Sequence, residues 1–216
     1  MNRLTALAAP VFLLFGGCSE RAPVVENEVS SERVADAPEP QPLPDIVRVR
    51  LQTEAGPIVL ALDAKRAPIT TANFVRYVDE GRFDGTSFYR AAPTKGAPER
   101  GFIQGGIRRN YRRMFPPIEH EPTSKTGIEH EAGTISMAHT RPGLAMGEFF
   151  ITTSKVPSMD ARGNEPGFAA FGKVVEGMDV VRRVLASPTV PNAGRGAMRG
   201  QMIVEPVRIV SAERAE

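Results

Sequence analysis

The chain has three histidines, His120, His130 and His139, and one cysteine, Cys18, so the side-chain chemistry open to it is narrow. His120-Glu121 and His130-Glu131 repeat a pair of metal-ligand types, but their spacing matches no standard site, and no metal is expected. There is no G-x-S-x-G elbow, phosphate loop or dinucleotide fingerprint, and no nucleophile has a base beside it. Gly105-Gly106 reads as close packing beside a strand. The stretch from Gly133 to Thr153 is the densest in candidates. Ile135 and Met137, then Phe149 and Ile151, alternate as in two short strands, and a turn-rich segment from His139 to Gly147 joins them. Strands ending at one such loop bring His139, Met146, Glu148 and Phe150 together. An ordinary pair of core strands gives the same pattern.

The elements around this stretch are mostly short strands. Ile46–Thr53 and Ile58–Asp63 alternate apolar and polar residues about the turn Glu54-Ala55-Gly56, as a hairpin does. Pro68 with Thr70-Thr71 opens a helix running to Glu80, with Phe74 and Val78 on one face and Gly81 as its stop. Strands follow at Thr86–Ala91 and Phe102–Ile107, separated by a proline- and glycine-bearing loop from Ala92 to Gly101. Arg108–Glu131 is polar and aperiodic, and reads as a flexible excursion over the surface. An insertion-like loop covers Ser158–Gly167, a strand Ala169–Val175 and a short helix starts at Gly177. A last strand, edge-like at Pro206, covers Met202–Val210. Seven or eight antiparallel strands with two helices make a mainly β fold, and closure into a barrel would remove its exposed edges.

The first 18 residues differ. Arg3, an apolar run from Leu4 to Phe15 and Gly16-Gly17 precede Cys18, which is the layout of a secretory signal. The segment resembles a bacterial lipoprotein signal, which implies cleavage and acylation at Cys18. Plain secretion and a buried inert cysteine are the alternatives. The resemblance implies a lipid-anchored protein of the bacterial cell envelope, and Ser19 after the cysteine favours the outer membrane, facing the periplasm. Residues 19–45 hold five prolines and seven acidic residues against two arginines, a composition that stays extended as a tether. The folded domain is expected over 46–212. A formal charge of +2 gives no argument for nucleic-acid binding, and membrane contact is expected only through the lipid.

From Val47 to Val210 the chain resembles the cyclophilin-type peptidyl-prolyl isomerases. The matching pieces are Asn73-Phe74, F-D-G-T-S-F-Y-R at Phe83–Arg90, F-I-Q-G-G at Phe102–Gly106, G-T-I-S-M-A at Gly133–Ala138, E-F-F-I at Glu148–Ile151 and F-G-K-V-V-E-G-M-D-V-V at Phe171–Val181. Each is modest alone; their order and separations are specific. The resemblance implies a closed eight-stranded antiparallel barrel capped by two helices, acting as a monomer on proline-containing polypeptides, with no cofactor. It makes Arg90 the catalytic residue. It makes Phe102, Gln104, Ala138, His139, Glu148, Phe150, Met159 and Phe168 substrate-binding, with Phe150 on the floor of the proline pocket.

The chain departs from the family pattern at several of these positions. Glu148 replaces a glutamine, placing a carboxylate where it is expected to pair with Arg90, so that Glu148→Gln would free the guanidinium. Phe168 replaces a histidine, His139 an asparagine and Ser158 a larger residue. One residue is missing between Phe102 and Gln104, which is expected to displace Phe102 from the pocket. These departures motivate a second reading, an inactive module that grips proline-containing segments of envelope proteins.

Overall fold

The computed structural model describes residues 42–108 and 110–216. The signal-like segment with Cys18, and the tether as far as residue 41, lie outside the described residues.

Strands β1 (Ile46–Thr53) and β2 (Gly56–Asp63) form the expected hairpin, with Val47, Val49 and Leu51 buried and the intervening arginines exposed. The remaining strands are β3 (Ser87–Thr94), β4 (Ala97–Gly106), β5 (Thr134–Met137), β6 (Glu148–Thr152), β7 (Ala169–Glu176), β8 (Thr189–Val190) and β9 (Met202–Ala215). They run in the order β1-β2-β7-β5-β6-β4-β3-β9, all antiparallel, and β9 returns to pair with β1. Eight strands therefore close a barrel, and the two-residue β8 pairs on β9. Closure leaves none of the eight barrel strands as an edge.

Helix α1 (Pro68–Asp79) begins just after β2, with Pro68 in its first turn, where a missing N–H costs nothing. It drives Phe74 into the barrel, within 4.8–5.3 Å, centroid to centroid, of the rings of Phe83, Phe149 and Phe171. A four-residue helix, α2 (Thr123–Thr126), follows β4, and α3 (Met178–Leu185) follows β7. Helix α3 packs at the β1–β2 turn, where Val180 lies against Gly56 and Arg183 donates to the Ala55 carbonyl at 2.8 Å. The two longer helices thus cap opposite ends of β2, and Val180, Val181, Val184 and Leu185 are buried.

Three expectations need correction. The loop expected at 92–101 is a continuation of both strands, turned at Lys95-Gly96 with Gly96 at φ 80°. Pro93 and the glycines disguised it: the ladder shifts register between Pro93 and Thr94, where proline has no N–H to contribute. Pro206 does not mark an edge. Strand β9 pairs with both β1 and β3, and its ladder jumps from Val207 opposite Phe88 to Met202 opposite Arg90, so Pro206 sits in the bulge between them.

The third concerns 108–131, which is held against the barrel rather than free of it. Phe115 is buried, its N–H donates to the Tyr77 hydroxyl at 2.8 Å, and its ring lies between the guanidinium groups of Arg76 and Arg82 at 3.7 and 3.8 Å. Glu121, fully buried, accepts from the backbone N–H groups of Ile69 and Thr70 at 3.3 and 2.8 Å and from the Thr70 hydroxyl at 2.7 Å. Ala67, at the cap position of α1, offers no side-chain acceptor, so a residue about 50 positions downstream satisfies the helix start. Glu121→Ala is expected to strand these donors and lower unfolding stability by about 1–3 kcal/mol. Urea unfolding with a lower midpoint and unchanged slope is the expected result.

Candidate active site

The barrel register decides which side chains leave its outer wall. On β6, Phe149 and Ile151 enter the core while Phe150 faces outward, opposite Gln104 of β4 and Ser136 of β5. On β4, Ile103 points in and Phe102 and Gln104 point out. On β3, two residues oppose one: Phe88 pairs with Gly105 and Arg90 with Gln104, leaving Tyr89 in a β-bulge. Phe88 and Ala91 both join the core, so the bulge presents Tyr89 and Arg90 side by side on the outer face.

Arg90, Phe102, Gln104 and Phe150 floor a groove of about 290 Å³. All nine predicted site residues line it: Arg90, Phe102, Gln104, Ala138, His139, Glu148, Phe150, Met159 and Phe168. Phe102, despite the missing residue, sits in the pocket with its ring 5.4 Å from that of Phe150 and the Arg90 guanidinium 4.8 Å above it. Phe168 meets Phe150 edge-on at 5.4 Å and stacks on His139 at 4.7 Å, so an aromatic ring occupies the place of the family's histidine without opening the wall. His139 Nε2 donates to the Gly167 carbonyl at 3.2 Å, and His120 Nε2 to the neighbouring Pro166 carbonyl at 3.1 Å. Burial, and secondarily His120, lowers the pKa of His139 and keeps it neutral at physiological pH.

The two His-Glu pairs are spent on structure. His130 lies beneath the floor, parallel to Phe150 at 5.7 Å, with Nδ1 on Asp160 at 2.7 Å and Nε2 on Ser136 at 3.0 Å. Burial lowers its pKa despite Asp160. Glu121 holds α1, and Lys155 pairs with Glu131. Among the described residues no three His, Cys, Asp or Glu side chains converge on a metal position.

Polar geometry at Arg90 corrects one expectation. Its guanidinium is not paired with Glu148. Nε donates to Gln201 Oε1 at 2.8 Å and Nη1 to Gln104 Oε1 at 2.8 Å. Gln104 Nε2 donates in turn to the Tyr89 hydroxyl at 2.8 Å, and Tyr89 donates to Glu148 Oε2. The other Glu148 oxygen accepts the backbone N–H of Arg108. Burial raises the pKa of Glu148, and the bonds from Tyr89 and Arg108 oppose that shift. The motifs missed Tyr89, Gln201 and the apolar wall residues Met114, Leu144 and Met198. For Tyr89 its place beside Arg90 was the available signal; for Gln201, 111 residues away, there was none.

The model of the family described as "Cyclophilin type peptidyl-prolyl cis-trans isomerase/CLD" matches residues 48–214. The chain is a cyclophilin. Among curated relatives, it is 38% identical to peptidyl-prolyl cis-trans isomerase A of Dickeya dadantii over 141 residues, 63% of this chain and 70% of that protein. It is 34% identical to the peptidyl-prolyl cis-trans isomerase cyp18 of Streptomyces antibioticus, covering 76% of this chain and 96% of that one. A solved cyclophilin-type isomerase of Cryptosporidium parvum superposes with a TM-score of 0.61 at 20% identity, over 79% of this chain and 98% of its own, a likeness of fold. The same protein solved in the presence of the dipeptide Ala-Pro gives 0.62 at 19% identity, over 78% and 99%. This cyclophilin thus keeps the family barrel from β1 to β9. Its groove differs from the family pattern chiefly in Glu148, Phe168 and His139.

Proposed function

We propose that this peptidyl-prolyl isomerase works through Arg90 on X–Pro bonds of exported proteins, in the bacterial envelope. Rotation about an X–Pro bond is opposed by amide resonance, a barrier of about 18–20 kcal/mol. As the bond twists, the proline nitrogen becomes pyramidal and regains a lone pair, which the planar ground state does not offer. A guanidinium aimed at that nitrogen binds the twisted state preferentially and lowers the barrier. The observation that carries the reading is the clamp on Arg90. Two of its nitrogens are held by Gln104 and Gln201 over the aromatic pocket, while Nη2 has no hydrogen-bond partner among the described residues. Phe102, Phe150, Met159 and Phe168 grip the proline ring, and Gln104, Ala138, His139 and Glu148 flank the peptide beside it. The rotation itself needs no covalent intermediate and no cofactor.

A protease-coupled assay on a panel of short X–Pro peptides tests this. The expected result is a rate above the uncatalysed one, which takes tens to hundreds of seconds. A background rate from folded protein would leave only the proline-gripping module.

The envelope setting rests on the N-terminal signal and the acidic, proline-rich tether. Acylation at Cys18 would anchor the domain in the outer membrane, beside chains emerging from export whose slow prolines limit folding. Cys18→Ser is expected to move the protein from membrane to soluble envelope fractions while leaving isomerase activity intact. Unchanged fractionation, with no lipid mass on the wild-type chain, would refute the anchor.

A further inference from the structure

With Glu148 ionised, the bonds running from Arg90 to Glu148 have only one consistent direction. Arginine donates and never accepts, so Gln104 must turn its carbonyl oxygen to Arg90. Its NH2 then faces Tyr89, whose oxygen must accept. The Tyr89 proton must go elsewhere, and the acceptor in reach is Glu148. The second Glu148 oxygen is taken by the N–H of Arg108, a residue held at φ 40°, the only positive φ on a non-glycine among the described residues. That backbone conformation is unfavourable for a residue with a Cβ, and here it aims the N–H at the carboxylate. Gly106, just before, sits so close to Gly147 that a Cβ would meet its carbonyl at 2.2 Å, which fixes the end of β4 against the start of β6.

From this we infer that Tyr89 and Glu148 are positioning residues. An ionised carboxylate at 148, accepting at both oxygens, orders the chain Glu148–Tyr89–Gln104 so that Arg90 is held by an acceptor. Only a carboxylate can do so with these two donors. A glutamine at 148 has one acceptor, so either Tyr89 or the Arg108 N–H would face an amide NH2. If Tyr89 loses its acceptor, its proton turns back toward Gln104, whose amide flips and presents NH2 to the guanidinium. Glu148→Gln, which a pairing with Arg90 would have made harmless or beneficial, is therefore expected to reduce activity.

The inference rests on Arg90 as the catalytic group, and the test separates the two. Tyr89 is 5% exposed, and Tyr89→Phe keeps its ring while removing only the hydroxyl. It is expected to lower kcat on an X–Pro peptide roughly tenfold, the effect of one charge-assisted hydrogen bond, with KM nearly unchanged. Glu148→Gln is expected to lower kcat by a similar factor. The double variant should be no worse than Tyr89→Phe, because phenylalanine leaves no hydroxyl to misdirect and the glutamine oxygen is free for Arg108.

A pH series adds a readout that a purely structural role would not move. Glu148 is faced by Tyr89 of β3, Gln104 of β4, Arg108 beyond it and Tyr77 of α1, with Arg90 reached only through Tyr89 and Gln104. Because burial raises its pKa, protonation should begin at less acidic pH than for an exposed glutamate. The wild-type advantage over Tyr89→Phe should shrink as pH falls through that value. His139 and His130 remain in both proteins, so their titration cancels in the ratio.

Wild-type kcat in Tyr89→Phe, effects that multiply in the double variant, losses confined to KM, or a ratio flat with pH would each overturn the inference. So would full activity in Glu148→Gln, which changes almost no volume and tests the chain independently should Tyr89→Phe not fold. If Arg90→Ala is inactive while Tyr89→Phe matches wild type, only the positioning role fails. If Arg90→Ala is fully active, the catalytic assignment itself fails.

Discussion

Arg90→Ala is expected to lower kcat/KM on a small X–Pro peptide by one to three orders of magnitude, at roughly 1.4 kcal/mol per tenfold. The loss should fall on kcat, because in the proposed mechanism the guanidinium contributes most once the amide has begun to twist. On the proposed mechanism, substrate affinity depends mainly on the aromatic pocket, which the substitution leaves in place. Circular dichroism and the melting temperature should change little. Arg90 stands on the outer wall, and of the acceptors it releases, Gln104 lines the groove and Gln201 is only half-buried. Arg90→Lys is a sharper control. It keeps the charge but cannot be held by two acceptors while presenting a third nitrogen, so it should recover little of the rate. Full activity in Arg90→Ala would remove Arg90 from the mechanism.

Phe74→Ala should have the largest effect on stability. The ring is fully buried where α1 enters the barrel and touches Phe83, Phe149 and Phe171. Removing a core phenylalanine costs about 3–5 kcal/mol through lost transfer energy and the cavity left behind. In a domain of this size the midpoint of thermal unfolding should fall on the order of 10 °C. The cavity would lie directly behind β6, whose Phe149 faces the core and whose Phe150 faces the groove. The variant should accordingly lose some activity below its melting point as well. Ile46→Ala, at a half-exposed position at the start of β1, should cost far less under the same conditions. Equal losses from the two would mean that the barrel interior is not the main source of stability.

How much of this was legible in the sequence differs from element to element. Alternation along Val47-Val49-Leu51 and Phe149-Ile151 determined which faces are buried, because strand side chains alternate strictly with position. It put Phe150 on the face opposite Phe149 and Ile151, while the pairing of β4 with β6 sets Phe102 and Gln104 on that same outer face. Pro68 and Gly81 bounded α1 for equally local reasons. The family motifs then placed nine residues on one groove, and the structure brings all nine together.

Tertiary structure decided what touches what on that outer face. The bulge at Tyr89 depends on how β3 pairs with β4, and pairing is invisible in the residues of β3 alone. Gln201 reaches Arg90 because β9 crosses beside β3 after 111 residues of intervening chain. Glu121 completes α1, and Phe115 docks between two arginines, in a segment whose polar composition gave no periodic signal. A charge at position 148 could be read directly from the sequence, but its partner could not. Hydrogen-bond direction depends on every donor and acceptor within reach, and only the folded chain brings Tyr89, Gln104 and the Arg108 N–H to that carboxylate.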